Sequence, residues 1–234
     1  MPPCPAPDTC FVYLLRHGAT DNNEASPPRL QGRGLDHSLS EQGRRQARRT
    51  AEALADAGLA AVYASPLRRA RETAQPIAEA CGLAVGIVDE IIEVDIGSWE
   101  GRTWEEIERD DAEGYQQFMT DAGTHPYRDG ENLSQVVDRT APALKRLMRE
   151  NLGRVITVVA HNVVNRAYFT QLLDMPLAKY RSIPQDNCGI NLLRYRGEKI
   201  KLITINAIGH LNISISSSPD SRRLGAAASC RERD

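Results

Sequence analysis

The stretch "FVYLLRHGATDNN", residues 11–23, opens with a continuous apolar run and changes character at Arg16, His17 and Gly18. Such a run is typical of a strand that is buried on both faces of a parallel sheet. A turn at the end of the strand is enough to explain the glycine. A guanidinium and an imidazole side by side at the end of a buried strand call for another explanation.

Strands and helices alternate along the rest of the domain. Apolar or β-branched runs at residues 60–65, 84–89 and 154–160 predict three further strands, and amphipathic segments between them predict helices. Residues 190–206 predict a β-hairpin. We therefore expect an α/β fold, a three-layer α/β/α sandwich with a mainly parallel central sheet and the hairpin at one edge.

Local signals divide the chain further. A proline-rich flexible lead is expected over residues 1–10, the folded domain over 11–211, and a disordered, polar tail over 212–234. Residues 103–118 predict an amphipathic helix, and Pro76 should kink or restart the helix in which it lies.

Composition excludes several classes of protein. The 234 residues are 41% hydrophobic and 26% charged, with a formal net charge of −2, which argues against binding nucleic acid or anionic membranes through bulk charge. The five cysteines are scattered, without a Cys-x-x-Cys pair, and no apolar run approaches the ~20 residues that span a bilayer. We expect a soluble cytoplasmic protein, with a homodimer left open.

The predicted strand ends carry a related set of polar side chains. Arg16 and His17 follow the first strand, Ser65 and Arg68 the second, and His161 follows the most β-branched one. In a parallel sheet these ends lie along one edge, where ligands bind. Arginine forks and helix N-termini both bind phosphate oxygens, so this edge predicts an anion site.

The same residues suggest a reaction. Held among cations, His17 should stay neutral, which leaves a ring nitrogen free to attack phosphorus. Glu93 lies where a proton donor for the leaving oxygen is needed, and Asp95 is the rival. Flanking arginines would repel a metal ion, so neither a metal nor another cofactor is expected. A single histidine at a strand end is more often structural. Here, however, a purely structural explanation would have to hold independently for the polar residues at three strand ends.

These motifs, followed by "RLQGRG", "LSEQGRRQA", "YASPLRRARETA", "EVDIGSWEG" and "VVAHN", resemble the histidine phosphatase superfamily, in the branch that contains the cofactor-dependent phosphoglycerate mutases. The resemblance runs in the expected order from Phe11 to Leu211. It implies a phosphohistidine at His17 and a general acid at Glu93. It further implies contacts to the phosphoryl group or the substrate from Arg16, Asn23, Gln31, Arg68 and His161.

Two positions depart from the family pattern. Ala19 replaces the commoner glutamate, and Asn162 stands where the family often has glycine. The Asn162 form, with "QDNCGINLLRY" downstream, is similar to a subgroup that includes sugar-phosphate phosphatases. Asn162 is therefore expected to contact the substrate, by adding an amide donor or by reorienting it.

The leading hypothesis is a metal-independent phosphomonoesterase that hydrolyses a small phosphorylated metabolite through a phosphohistidine. A 2,3-bisphosphoglycerate-dependent mutase is the alternative, although family mutases have a longer lid between the acid and the second histidine. A non-catalytic phospho-ligand binder is a second alternative, but it would tolerate loss of His17 or Glu93, and both are present. Substrate selectivity is expected from residues 119–132.

Overall fold

A computed structural model of the protein describes residues 5–211. Six strands form one sheet in the order β3-β2-β4-β1-β5-β6. The strands are β1 (Thr9–Arg16), β2 (Leu59–Ala64), β3 (Val85–Ile87), β4 (Val155–Ala160), β5 (Ile190–Arg196) and β6 (Lys199–Ala207). The first four are mutually parallel, and the β5–β6 hairpin adds two antiparallel strands at one edge. The predicted sheet is confirmed.

Helices cover both faces of this sheet. They are α1 (Asp21–Glu24), α2 (Glu41–Leu54), α3 (Arg68–Ala80), α4 (Trp104–Asp110), α5 (Ala112–Thr120), α6 (Leu133–Glu150) and α7 (Asn162–Leu172). Alanine-rich stripes of α2 and α3 pack on one face against Leu15 and Val159. The apolar faces of α6 and α7 pack on the other, together with the segment that follows β3. The three-layer prediction is confirmed.

The pairing of β1 with β4 sets the position of the two histidines. Their parallel register places Arg16 beside Ala160, the last residue of each strand. The backbone N–H of His17 continues the ladder by donating to the Ala160 carbonyl at 3.0 Å. His17 and His161 therefore leave the sheet at the same point.

The structure differs from the sequence predictions in three places. β1 begins at Thr9, which pairs with Arg196 of β5, so residues 9 and 10 belong to the domain and not to the lead. Pro76 lies inside the single helix α3, so the helix does not restart there, and the kink offered as the alternative stays a prediction. The tail expected over residues 212–234 lies outside the described residues.

The third difference is that residues 103–118 form two helices instead of one. The break is at Asp111, whose backbone leaves helical geometry at φ −143°. Its side chain accepts a hydrogen bond from the indole nitrogen of Trp99 at 3.0 Å and caps α5 through Gly114. The tertiary contact to Trp99 overrides the helical pattern of the sequence.

Two glycines let α2 pack directly on the loop that carries His17. A Cβ on Gly43 would overlap the backbone oxygen of Ala19, and one on Gly18 would lie 2.7 Å from the Gly43 oxygen. Ser40 caps α2 by accepting from the Gly43 amide at 3.0 Å, which holds the first turn at this contact. The loop therefore rests on the backbone of a helix.

We predict that Gly43→Ala lowers the free energy of unfolding by about 1–3 kcal/mol, because the added methyl group overpacks this contact. An alanine in a helix interior would otherwise stabilise it by about 1 kcal/mol relative to glycine. Urea unfolding measures the change, with the exposed neighbour Gln42→Ala as the control. A stabilised Gly43→Ala protein would show that the loop is not held by this contact.

Candidate active site

A cavity of about 400 Å³ opens at the carboxyl end of the parallel strands. Its lining combines polar groups with aromatic and apolar ones. Of the residues singled out from the sequence, it includes Arg16, His17, Asn23, Gln31, Glu93 and Asn162.

His17 has the geometry of a nucleophile. Its Nδ1 lies 2.7 Å from the carbonyl oxygen of Gly18. A carbonyl only accepts, so Nδ1 carries the proton and Nε2 keeps its lone pair. Burial, together with the charges of Arg69 and Arg16, holds the pKa of His17 well below its usual value. The imidazole is therefore neutral at physiological pH, with its nucleophilic nitrogen free.

His161 lies beside His17, with 5.2 Å between ring centroids, and is wholly buried. Its Nε2 is 2.7 Å from the hydroxyl oxygen of Ser65, which also accepts from the Leu67 amide. The Ser65 proton is thus available to Nε2, which leaves the proton of a neutral imidazole on Nδ1. Within residues 5–211 this buried Nδ1 has no hydrogen-bond partner. His161 can therefore donate a hydrogen bond to a bound anion.

Arg16 is held without being neutralised. Its Nη1 donates to the backbone oxygen of Gln185 at 2.7 Å, and its buried Nε has no partner among the described residues. Gln185 is fixed in turn by the side-chain amides of Asn165 and Asn191. Burial, followed by the nearby charge of Arg166, lowers the pKa of Arg16 to about 10, so it stays cationic.

The second arginine of the site is Arg69, and the prediction of Arg68 is corrected. The Arg68 side chain is exposed and pairs with Glu72 one turn along α3 at 2.6 Å. Arg69 is fully buried, donates to the carbonyl oxygens of Leu35 and Gly32, and lies close enough to His17 to lower its pKa. Successive residues of an α-helix point about 100° apart around its axis. The Arg69 side chain therefore points towards the histidines, whereas the adjacent Arg68 side chain points towards solvent.

Glu93 occupies the position expected of a proton donor. It is 3% exposed, and its two oxygens accept from the amides of Val94 at 2.9 Å and Val163 at 3.3 Å. Burial raises its pKa, although these bonds and Arg69 act in the opposite direction. The rival Asp95 pairs with Arg33 at 2.6 Å and is not part of the cavity lining. Of the two carboxyl groups, Glu93 is the one that lines the cavity, and its role as the acid stays a prediction.

Three amide side chains complete the polar lining. The Asn23 oxygen accepts from Thr20 and from the side chain of Asn187, and the Gln31 oxygen accepts from the Thr20 hydroxyl at 2.8 Å. Asn162 begins α7, and its buried oxygen has no partner in the described part of the chain. All three predicted residues therefore lie in the cavity.

Sequence reasoning missed Arg69, Arg166 and Arg181, of which the last two line the cavity. Helical spacing could have found Arg69, since it lies one turn before the buried Thr73, which donates to its carbonyl. Nothing in the sequence around Arg166 or Arg181 indicated a cavity.

Over residues 5–211, no group of three or more His, Cys, Asp or Glu side chains is placed to hold a metal ion. In that same range none of the helices has the length and apolar character required to cross a membrane.

The chain belongs to the histidine phosphatase superfamily (branch 1), whose model matches residues 12–208. Phosphoserine phosphatase 1 of Hydrogenobacter thermophilus is 32% identical over 200 residues, covering 86% of this chain and 93% of that protein. A probable phosphoglycerate mutase of Enterobacter is 31% identical, over 79% of this chain and 85% of its own.

A solved structure shows the same relationship. The phosphoserine phosphatase of Entamoeba histolytica in complex with 3-phosphoglyceric acid matches with a TM-score of 0.78 at 28% identity, over 86% of this chain and 99% of that one. The family and fold predicted from the sequence are confirmed. Family and site together are those of a phosphoric monoester hydrolase.

We predict that Arg69→Lys lowers kcat/KM by about 10²-fold, because lysine keeps the charge but loses the planar guanidinium that the Leu35 and Gly32 carbonyls hold beside His17. The adjacent Arg68→Lys should leave it nearly unchanged, since that side chain faces solvent. Steady-state phosphate release measures both, with circular dichroism to check folding. Equal losses in the two variants would contradict the placement of Arg69.

Proposed function

We propose that the protein is a metal-independent phosphomonoesterase that hydrolyses a small phosphorylated metabolite through a phosphohistidine at His17. The observation that carries this proposal is the neutral His17, with Nε2 free, between Arg16 and Arg69 in the same cavity as a buried carboxyl group. The names of its relatives, phosphoserine phosphatase among them, support the same reaction class.

In the first step, Nε2 of His17 attacks phosphorus and the bond from phosphorus to the ester oxygen breaks. Arg16, Arg69 and the Nδ1–H of His161 stabilise the charge on the transferring phosphoryl oxygens. The leaving alkoxide takes the proton of Glu93 and departs as an alcohol. The amide donors of α7 then stabilise the carboxylate that remains.

In the second step, water attacks the phosphohistidine. The Glu93 carboxylate takes a proton from this water, so that hydroxide forms the new bond to phosphorus. The bond between phosphorus and Nε2 breaks, which releases inorganic phosphate and restores neutral His17 and protonated Glu93. Atoms and protons balance over the cycle, and no metal ion takes part.

The cellular setting that we propose is the cytoplasm. Among the described residues Cys10, Cys81 and Cys188 are free thiols, which agrees with a reducing compartment.

We predict that His17→Asn abolishes turnover while the fold survives, because the amide cannot form the covalent intermediate. Phosphate release is measured with EDTA present throughout, and ³²P from labelled substrate is trapped on the wild-type protein as an acid-labile, base-stable phosphohistidine. Activity lost to EDTA and restored by Mg²⁺ would contradict the proposed reaction. Isomerisation of phosphoglycerate that exceeds phosphate release would favour the mutase alternative.

We predict that Glu93→Gln slows phosphoryl transfer from alkyl esters by roughly 10²–10⁴-fold and affects nitrophenyl phosphate far less. An alkoxide needs a proton as it leaves, whereas nitrophenolate is a stable anion. Single-turnover rates isolate the first step, and Asp95→Asn is the matched control. A defect that depends on the leaving group in Asp95→Asn alone would transfer the acid role to Asp95.

A further inference from the structure

The cavity is larger than a phosphoryl group requires. Its volume of about 400 Å³ falls in the ~300–1,000 Å³ range of sites that enclose a whole small molecule. Beyond the residues already assigned, the lining includes an aromatic wall of Trp104, Tyr127 and Tyr180. It also includes three exposed charged residues, which are Arg29, Glu105 and Arg181. These groups are available to recognise the organic part of the substrate.

Arg181 is fixed in position by neutral groups. Its guanidinium lies over the Trp104 ring at 4.5 Å and 5.6 Å from the Phe118 centroid. Its Nε donates to the Tyr180 hydroxyl at 3.1 Å, and Nη1 contacts the sulfur of Met119. Aromatic rings, a phenol and a thioether orient a cation without cancelling its charge.

No carboxylate pairs with Arg181 within residues 5–211, in contrast to the other arginine at the rim. Arg29 donates to the Gly101 oxygen at 2.8 Å and pairs with Glu106 at 3.5 Å. Arg166 lies near Arg16, whose pKa its charge lowers, and so belongs to the phosphoryl end. Arg181 is therefore the cavity cation that remains for a second anionic group.

The aromatic wall connects Arg181 with the reaction centre. Glu93, Tyr127 and Arg181 line the same cavity. The Tyr127 ring lies 4.2 Å from the Phe118 ring, and the Arg181 guanidinium lies 5.6 Å from that same Phe118 ring. A substrate whose leaving oxygen is at Glu93 can thus extend along Tyr127 towards Arg181. A planar guanidinium with free N–H groups can bind a carboxylate through two parallel hydrogen bonds. Because the Trp104 ring already orients the Arg181 side chain, that side chain loses little conformational entropy when a carboxylate binds.

On the basis of the proposed function, we infer that Arg181 is a specificity residue that binds a carboxylate of the substrate, which makes the substrate class small phosphorylated carboxylic acids. The carboxylate lies on the part of the molecule that leaves as the alcohol. Glu105, next to Trp104, adds a negative charge at the same wall and favours acids that also carry an ammonium group.

The test compares two pairs of esters that differ at the carboxylate: 3-phosphoglycerate with glycerol 3-phosphate, and O-phosphoserine with phosphoethanolamine. In the wild type, kcat/KM should favour the acid of each pair by at least about tenfold, as expected for a charge-assisted bond near the surface. Arg181→Met, which retains an apolar contact with Trp104, should remove this preference by lowering kcat/KM for the two acids about tenfold, with a much smaller change for the two esters that lack a carboxylate. Arg29→Met, a rim arginine already paired, should preserve the preference.

Each outcome bears on a separate conclusion. If Arg181→Met keeps the wild-type preference, or if the wild type shows none, Arg181 does not bind a carboxylate, although phosphatase activity stands. If neither the esters nor nitrophenyl phosphate releases phosphate, the proposed function itself fails. Glu105→Gln should weaken the preference for O-phosphoserine over 3-phosphoglycerate without changing the effect of Arg181→Met.

Discussion

The parallel hydrogen bonding of β1 to β4 is the constraint on which the active site depends. Because Arg16 lies in register with Ala160, both strands end together and turn towards the same cavity. β4 is buried along its whole length, as expected of a central strand that helices cover on both faces. The His17–His161 contact follows from this pairing, and the phosphoryl site follows from that contact. A shift in register would separate the histidines without changing any of the residues that do chemistry.

Around that contact the protein holds two cations without an ion-pair partner within residues 5–211, Arg16, which is half-buried, and Arg69, which is fully buried. Arg16 and Arg69 are bound through neutral carbonyl oxygens, and neither forms an ion pair in the part of the chain that the structure describes. Burying unpaired cations costs stability, and their mutual repulsion adds to that cost. A bound phosphoryl dianion pairs with these cations and offsets that cost. The cations therefore lower the stability of the free protein but increase its affinity for the phosphoryl group. Burial first, and these same charges second, lower the pKa of both histidines and keep them neutral.

The sequence predicts the sheet, its layers and most of the residues at the strand ends, because each of those depends on local periodicity and on one topological rule. It fails where the answer depends on which way a side chain points. Arg68 and Arg69 are adjacent and chemically identical, and only the position of the α3 axis decides between them. The break at Asp111 depends on Trp99, a tertiary partner that no window around residues 103–118 contains. Arg181 lies in a short 3₁₀ helix, Leu177–Ser182, with no periodic signal, so its approach to Trp104 could not be anticipated.

The two walls of the cavity come from different parts of the chain. His17 and His161 directly follow the central strands, whereas Trp104 and Glu105 belong to α4. The helices α4 and α5 form an excursion that Asp111, which lies between them, ties to Trp99. The excursion can change in length and composition while the β1–β4 register stays intact. Evolution can therefore exchange the surface that selects the substrate without disturbing the chemistry. Relatives whose names record different phosphorylated substrates, phosphoserine and glucosyl-3-phosphoglycerate among them, are consistent with such a division.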